Sequence, residues 1–151
     1  MSNYNESMKT IAINKRAGFD YEISEKFTAG IVLTGHETKS VKMGHCDIVG
    51  ARAAIKDNEI YLIGTNIPSF QPLNAPKDYD PTRTRKLLLK KEEIKYLAGK
   101  LQSGLTLVPL KIYTNHGFVK VELGLGKIRK KHDKREVIKK REAEREIKKY
   151  I

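Results

Sequence analysis

The chain has 151 residues, the size of one ordinary domain, long enough to bury a core without a disulfide or a metal to hold it. Its single cysteine, Cys46, excludes an internal bridge and suits a reducing compartment, and no apolar run approaches the ~18–20 residues of a membrane span. The net charge is +12, and over half of it lies in residues 127–151, where 12 Lys and Arg face 5 Asp and Glu. Such a basic tail on a moderately basic body points to a polyanionic partner. A polar stretch at residues 1–10, without the apolar segment of a signal peptide, places the expected protein in the cytoplasm.

Along the chain, Met8 to Asn14 is strand-like through Thr10, Ile11 and Ile13, and Tyr21 and Ile23 alternate with polar residues. Ala29 to Leu33 is a short apolar run ended by Gly35, again strand-like. Glu37 to Met43 suits a helical turn or two stopped at Gly44. Residues 48–67 read as a hairpin turning at Asp57-Asn58. Four of the five prolines (Pro68, Pro72, Pro76, Pro81) fall in 66–85 beside Asn74, Asp78 and Asp80, which predicts a long surface loop. Lys90 to Lys100 is helical, with Ile94, Leu97, Ala98 and Leu101 on one stripe. Leu105 to Tyr113 and Phe118 to Leu125 are strands joined at Asn115-His116-Gly117. The fold class is therefore mainly β: a small closed barrel of the oligonucleotide-binding (OB) type with short helices over residues 1–126. The basic tail, 127–151, has too few aliphatics for a core and is expected to be disordered when free and helical when bound. Gly124-Leu-Gly126 lacks the third glycine of a dinucleotide loop and reads as the transition into that tail.

No catalytic or metal centre is expected. His45 and Cys46 are adjacent but belong to no metal-ligand spacing, and Glu92 and Glu93 diverge by ~100° around their helix. No nucleophile, base and orienter stand together, and no cofactor is implied. The strongest local signal is Asp80-Pro-Thr-Arg83-Thr-Arg85-Lys86-Leu-Leu-Leu89. Arg83 and Arg85 alternate on an extended backbone, so both guanidinium groups project to one side, where arginine forks match phosphate oxygens. An edge strand guarded by charge is the competing reading. Asn14-Lys15-Arg16 sets an amide fit for a base edge beside two cations. Lys39 and Lys42 flank Ser40. In the tail, His132-Asp133-Lys134-Arg135 offers an imidazole to stack and cations for phosphate, although a solvated charged run reads equally well there.

Together these segments resemble one family. Ile11-Ala-Ile-Asn-Lys-Arg-Ala17, Ala29-Gly-Ile-Val-Leu33 before Gly35-His-Glu-Thr-Lys-Ser40, the proline-threonine-arginine motif at 80–89 and Lys131-His-Asp-Lys-Arg135 occur in the order found in SmpB, the SsrA-binding protein family of bacteria. The resemblance implies a barrel that binds the tRNA-like domain of transfer-messenger RNA as a monomer, one-to-one, and delivers it to stalled ribosomes. It also implies a tail that enters the small-subunit decoding centre and the empty message channel. The RNA-binding residues it implies are Asn14 and Leu88 with Lys15, Arg16, Arg83, Arg85 and Lys86, to which the candidates Glu37, Lys39 and Ser40 are added, and the ribosome-binding tail residues are Lys131, His132, Asp133, Lys134 and Arg135. The chain departs from the family pattern at Thr28, where an RNA-contacting glutamate is usual, at Ile128, where a glycine is usual, and at Ala143, often tryptophan. A barrel-type ribosomal protein or general translation factor is the alternative.

Overall fold

The computed structural model describes residues 8–71, 73 and 75–149, with the side chains of 131–133 and 147–149 outside the description. Seven strands are present among them: β1 Met8–Ile13, β2 Tyr21–Ile31, β3 Arg52–Lys56, β4 Glu59–Ile63, β5 Arg85–Leu88, β6 Thr106–Asn115 and β7 Phe118–Ile128. The helices are α1 Ala17–Asp20, α2 Gly35–Lys42, α3 Lys91–Gln102 and α4 Lys131–Lys149.

All the strand pairings are antiparallel, and β6, β3, β4, β5, β2 and β7 close on themselves because β7 pairs back onto β6. This is the closed barrel that the alternating strands imply. β1 lies outside the ring on the free half of β6, from Met8 opposite Asn115 to Ile13 opposite Lys111. Two tight hairpins set the register. Asp57 and Asn58 (φ 51° and 61°) turn β3 into β4, and His116 and Gly117 (φ 50° and 82°) turn β6 into β7. Both central residues of each turn take positive φ, the geometry that matches the right-handed twist of paired strands.

Alternation along each strand fills the barrel. Ile60, Leu62, Leu87, Leu107, Val121, Leu123 and Leu125 are fully buried, and Leu97 closes one end from α3. At 20–33 cal/mol per Å² of apolar surface, these side chains supply the main drive for folding.

Three features differ from the expectations above. β2 is one unbroken strand of 11 residues rather than two short ones, with a bulge between Ile23 and Glu25. Gly124 and Gly126 lie inside β7 rather than at the start of the tail, and strand pairing continues to Ile128 opposite Tyr21. Both glycines answer to close packing: a Cβ on Gly124 would stand 2.9 Å from the Leu110 side chain, and one on Gly126 would run into the Glu22 carbonyl. The first helical segment after β2 begins at Gly35, not Glu37, because Thr34 caps it. The tail is helical over Lys131–Lys149, as α4. The long loop between β4 and β5 is where the prolines place it, with Pro72 and Asn74 outside the described residues.

Candidate RNA interface and tail junction

The proline-threonine-arginine motif is built around a carboxylate. Thr34 and Glu37 form a capping box: the Thr34 hydroxyl accepts from the Glu37 amide at 3.1 Å, and Glu37 Oε1 accepts from the Thr34 amide at 2.9 Å. That box fixes the Glu37 side chain, which then receives both arginines. Arg83 Nη2 lies 2.6 Å from Oε1, and Arg85 donates its Nε–H to Oε2 at 2.8 Å. The alternation of Arg83 and Arg85 does aim both to one side, but the anion waiting there belongs to the protein.

Arg85 is therefore a correction. Its side chain is 0% exposed, and its remaining donors reach the backbone carbonyls of Thr65 (2.7 Å) and Pro81 (3.0 Å). It has no reach to a phosphate; it ties the long loop to β5 and α2. Glu37 is corrected with it, being 1% exposed. Burial pushes the Glu37 carboxyl up, but hydrogen bonds from Arg83, the Thr34 amide and Arg85 outweigh it and hold the group at about 2. Ser40 is a third correction: it is fully buried, and its hydroxyl donates to the Pro68 carbonyl. The Thr34-x-x-Glu37 spacing, a capping signature, is the signal in the sequence that ties the Glu37 carboxylate to the start of α2.

Asn14 also turns inward. It is 8% exposed, donates from Nδ2 to the Pro109 carbonyl at 3.0 Å, and accepts the Arg16 amide at Oδ1 at 3.3 Å. Its amide pins the end of β1 to β6. Lys15 and Lys39 are exposed, and Arg83, though paired, keeps 41% of its side chain exposed. Lys86 is half-buried, 3.5 Å from Glu59, and Leu88 is 52% exposed on the outer face of β5.

A second cluster joins body to tail. On α1, Asp20 accepts from Arg16 at 3.4 Å and lies 3.3 Å from Lys134 Nζ on α4. The same two cations face the Phe19 ring, Arg16 at 5.7 Å and Lys134 at 5.5 Å from its centroid. Arg129 adds two bonds to α1, amide to the Asp20 carbonyl at 2.9 Å and Nε to the Gly18 carbonyl at 3.3 Å. Burial pushes the Asp20 carboxyl up, but hydrogen bonds from Arg16 and Lys134 outweigh it and leave it below the usual range. The structure thus brings Arg16 and Lys134 together. Leu88 and Lys86 stand apart from them, at the Gly30 end of β2, whereas α1 enters at Tyr21. Arg135 is exposed on α4, while the side chains of Lys131, His132 and Asp133 lie outside the described residues.

Sequence comparison bears on both clusters at once. The family model described as SmpB protein matches residues 11–151, from β1 through α4. The chain belongs to the SmpB family. It is 47% identical over 148 residues to an SsrA-binding protein of Trichormus variabilis, covering 97% of this chain and 96% of that one. It is 51% identical over 142 residues to an SsrA-binding protein of Streptococcus pyogenes, covering 93% and 91%. Among solved structures it is similar to an SmpB-family chain from work titled "tmRNA-SmpB: a journey to the center of the bacterial ribosome". That match has a TM-score of 0.65 and 44% identity, and covers 83% of this chain and 92% of the other.

Proposed function

We propose that this protein is the RNA-binding factor of trans-translation in its cell. It binds the tRNA-like domain of transfer-messenger RNA through the barrel, one protein to one RNA, and delivers it to stalled ribosomes for rescue and peptide tagging. Its tail enters the small-subunit decoding centre and the empty message channel. The observation that carries this reading is the extent of the family match, which takes in the barrel and the basic tail together. A barrel that only coats structured RNA has no need of this tail.

The work is binding, not catalysis, and the site is the cytoplasm. The titratable groups support the first point: Glu37 is held in internal ion pairs, and burial pushes the Cys46 thiol up to about 11, far from a reactive thiolate. Among the described residues no helix is long and apolar enough to cross a membrane. Lys15, Arg16, Lys39, Arg83, Lys86 and Leu88 keep exposed surface with which to meet RNA. Asn14, Glu37, Ser40 and Arg85 support them from beneath.

A gel-shift titration with the tRNA-like domain, in fixed salt and excess bulk tRNA, tests the reading. A shift that resists the competitor is expected, with log affinity falling against log salt by ~0.9 for each phosphate neutralised. A protein ending at Ile128 should keep that shift and lose peptide tagging. A shift abolished by bulk tRNA would overturn the reading in favour of a general structured-RNA binder.

A further inference from the structure

The barrel closes unevenly. Among the described residues, β3 and β6 pair only at Ala53 and Leu107. The Asp57-Asn58 turn sets Lys56 opposite Glu59, so Arg52, Ala54 and Lys56 direct their main-chain groups at β4, while Ala53 and Ile55 direct theirs away from it. Ala53 meets Leu107 there. Ile55 comes next along the same edge, but β6 begins at Thr106, and the Leu105 amide is already donated to the Lys100 carbonyl at 3.2 Å. The edge of β3 at Ile55 therefore has no strand opposite it among the described residues.

The helix α3 spans this gap without filling it. One hollow, of about 430 Å³, lies between Arg52, Ile55, Leu101 and Leu107. A second, of about 710 Å³, lies between Ile55, Leu89, Ile94 and Lys95. Ile55 and Ala98 line both, so the two run together as one groove. No aromatic ring lines either hollow, so a nucleobase has nothing to stack on. What the groove offers is an aliphatic floor beside an open strand edge. Those two features hold an extended peptide, through main-chain hydrogen bonds along the edge and alternate side chains in the hollow.

Charge narrows the occupant. Arg52, Lys91 and Lys95 are exposed along the groove and have no ion pair among the described residues. Glu59, the one carboxylate lining it, is engaged by Lys86 at 3.5 Å. An acidic segment meets open cations here, and a basic one meets repulsion.

We propose that this groove takes an extended, acidic segment of a partner protein. The segment pairs its main chain with Ile55, packs apolar side chains on Ile94 and Ala98, and sets its carboxylates at Arg52, Lys91 and Lys95. The inference is independent of the function proposed above.

The test uses the full chain and labelled peptides of about ten residues that alternate Val, Ile or Leu with Asp or Glu, titrated to about 1 mM. At least one should bind, and the same peptide with Lys in place of each acid should not. Binding should slow hydrogen exchange at the Ile55 amide, followed by nuclear magnetic resonance. N-methylation of the peptide amide that pairs with Ile55 should weaken binding about two- to tenfold. Lys91→Ala and Lys95→Ala should each weaken it by up to about fivefold. Ala98→Leu fills the junction of the two hollows and should abolish peptide binding while leaving the gel shift with the tRNA-like domain unchanged. If A98L does not fold, the double variant K91A/K95A carries the comparison. Silence from every acidic peptide, equal binding of acidic and lysine peptides, or an Ile55 amide that exchanges at one rate with and without peptide would overturn the proposal. So would loss of the RNA shift in folded A98L, which would make the groove a nucleic-acid surface. Peptide binding by a protein that fails to shift the RNA would leave this proposal standing and overturn the proposed function alone.

Discussion

Arg85 donates its Nε–H to Glu37 Oε2 across 2.8 Å, and neither side chain is more than 1% exposed. With Arg83 on the other carboxylate oxygen, one acid answers two bases, and the carboxylate is what makes burial of a guanidinium tolerable. Removing it strands Arg85 inside the protein. Glu37→Gln should therefore cost about 3–5 kcal/mol of stability, the usual penalty for breaking a buried pair, measured by urea unfolding. A change under ~1 kcal/mol would mean that the carbonyls of Thr65 and Pro81 hold Arg85 unaided.

The same carboxylate gives the protein an acid limit. Its folded pKa, about 2, lies below the ordinary value of 4.5, so its contribution is fully present above about 4.5. That contribution declines as pH falls through this window and is lost below about 2. The unaltered protein should lose on the order of 3 kcal/mol across that interval from this group alone. E37Q, with nothing to protonate, should show a flatter stability profile there, as followed by circular dichroism.

Thr65 lies beside this cluster with its hydroxyl oxygen buried and without a hydrogen-bond partner among the described residues, although its carbonyl receives Arg85. A buried hydroxyl without a hydrogen bond costs about 1–3 kcal/mol, and a methyl of the same shape does not. Thr65→Val should be neutral or stabilising by about 1 kcal/mol in thermal melts. Clear destabilisation would show that the hydroxyl has a partner, such as an internal water.

How far the sequence reveals this molecule depends on the range of the interaction. The hairpin turns at Asp57-Asn58 and His116-Gly117 and the apolar stripe of α3 are local patterns, and each lies where its pattern puts it. The destination of Arg85 is not local. Its partner is 48 residues away, and from sequence alone a paired internal arginine looks like a phosphate-seeking one. Asn14 misleads for the same reason, since its partner Pro109 is 95 residues distant. Gly124 and Gly126 look like a flexible boundary until β2 and β6 are seen on either side of them.

Gly126 turns that last point into a measurement. A methyl group there would meet the backbone of Glu22 and Ile23, which cannot rotate away as a side chain can. The strand pair that carries β2 onto β7 would have to part. Gly126→Ala should cost as much as the larger overpacking substitutions, about 3 kcal/mol, while Gly99→Ala, open on all sides in α3, should be tolerated or mildly stabilising. Equal melting temperatures for the two would refute close packing as the reason for Gly126.

The junction between body and tail rests on Phe19 and Asp20. Each cation over the ring contributes about 0.5–1 kcal/mol at an exposed site, and the half-exposed ion pairs contribute ~0–1 kcal/mol. Small terms of this kind make a contact that salt can loosen. Because the Asp20 carboxyl is held below its usual range, its share of the contact is present at neutral pH and lost as pH falls through the depressed value. Phe19→Ala and Asp20→Asn should each free α4 from the barrel without lowering the barrel's melting temperature. Trypsin, which cuts at the lysines and arginines that fill 127–151, reports this directly. Tail cleavage should be several-fold faster in either variant and faster still in the pair, and high salt should bring the unaltered protein toward them. If cleavage of the tail proceeds at one rate in all of these proteins, Phe19 and Asp20 do not hold the helix, and Arg129 with its two bonds to α1 becomes the anchor to test.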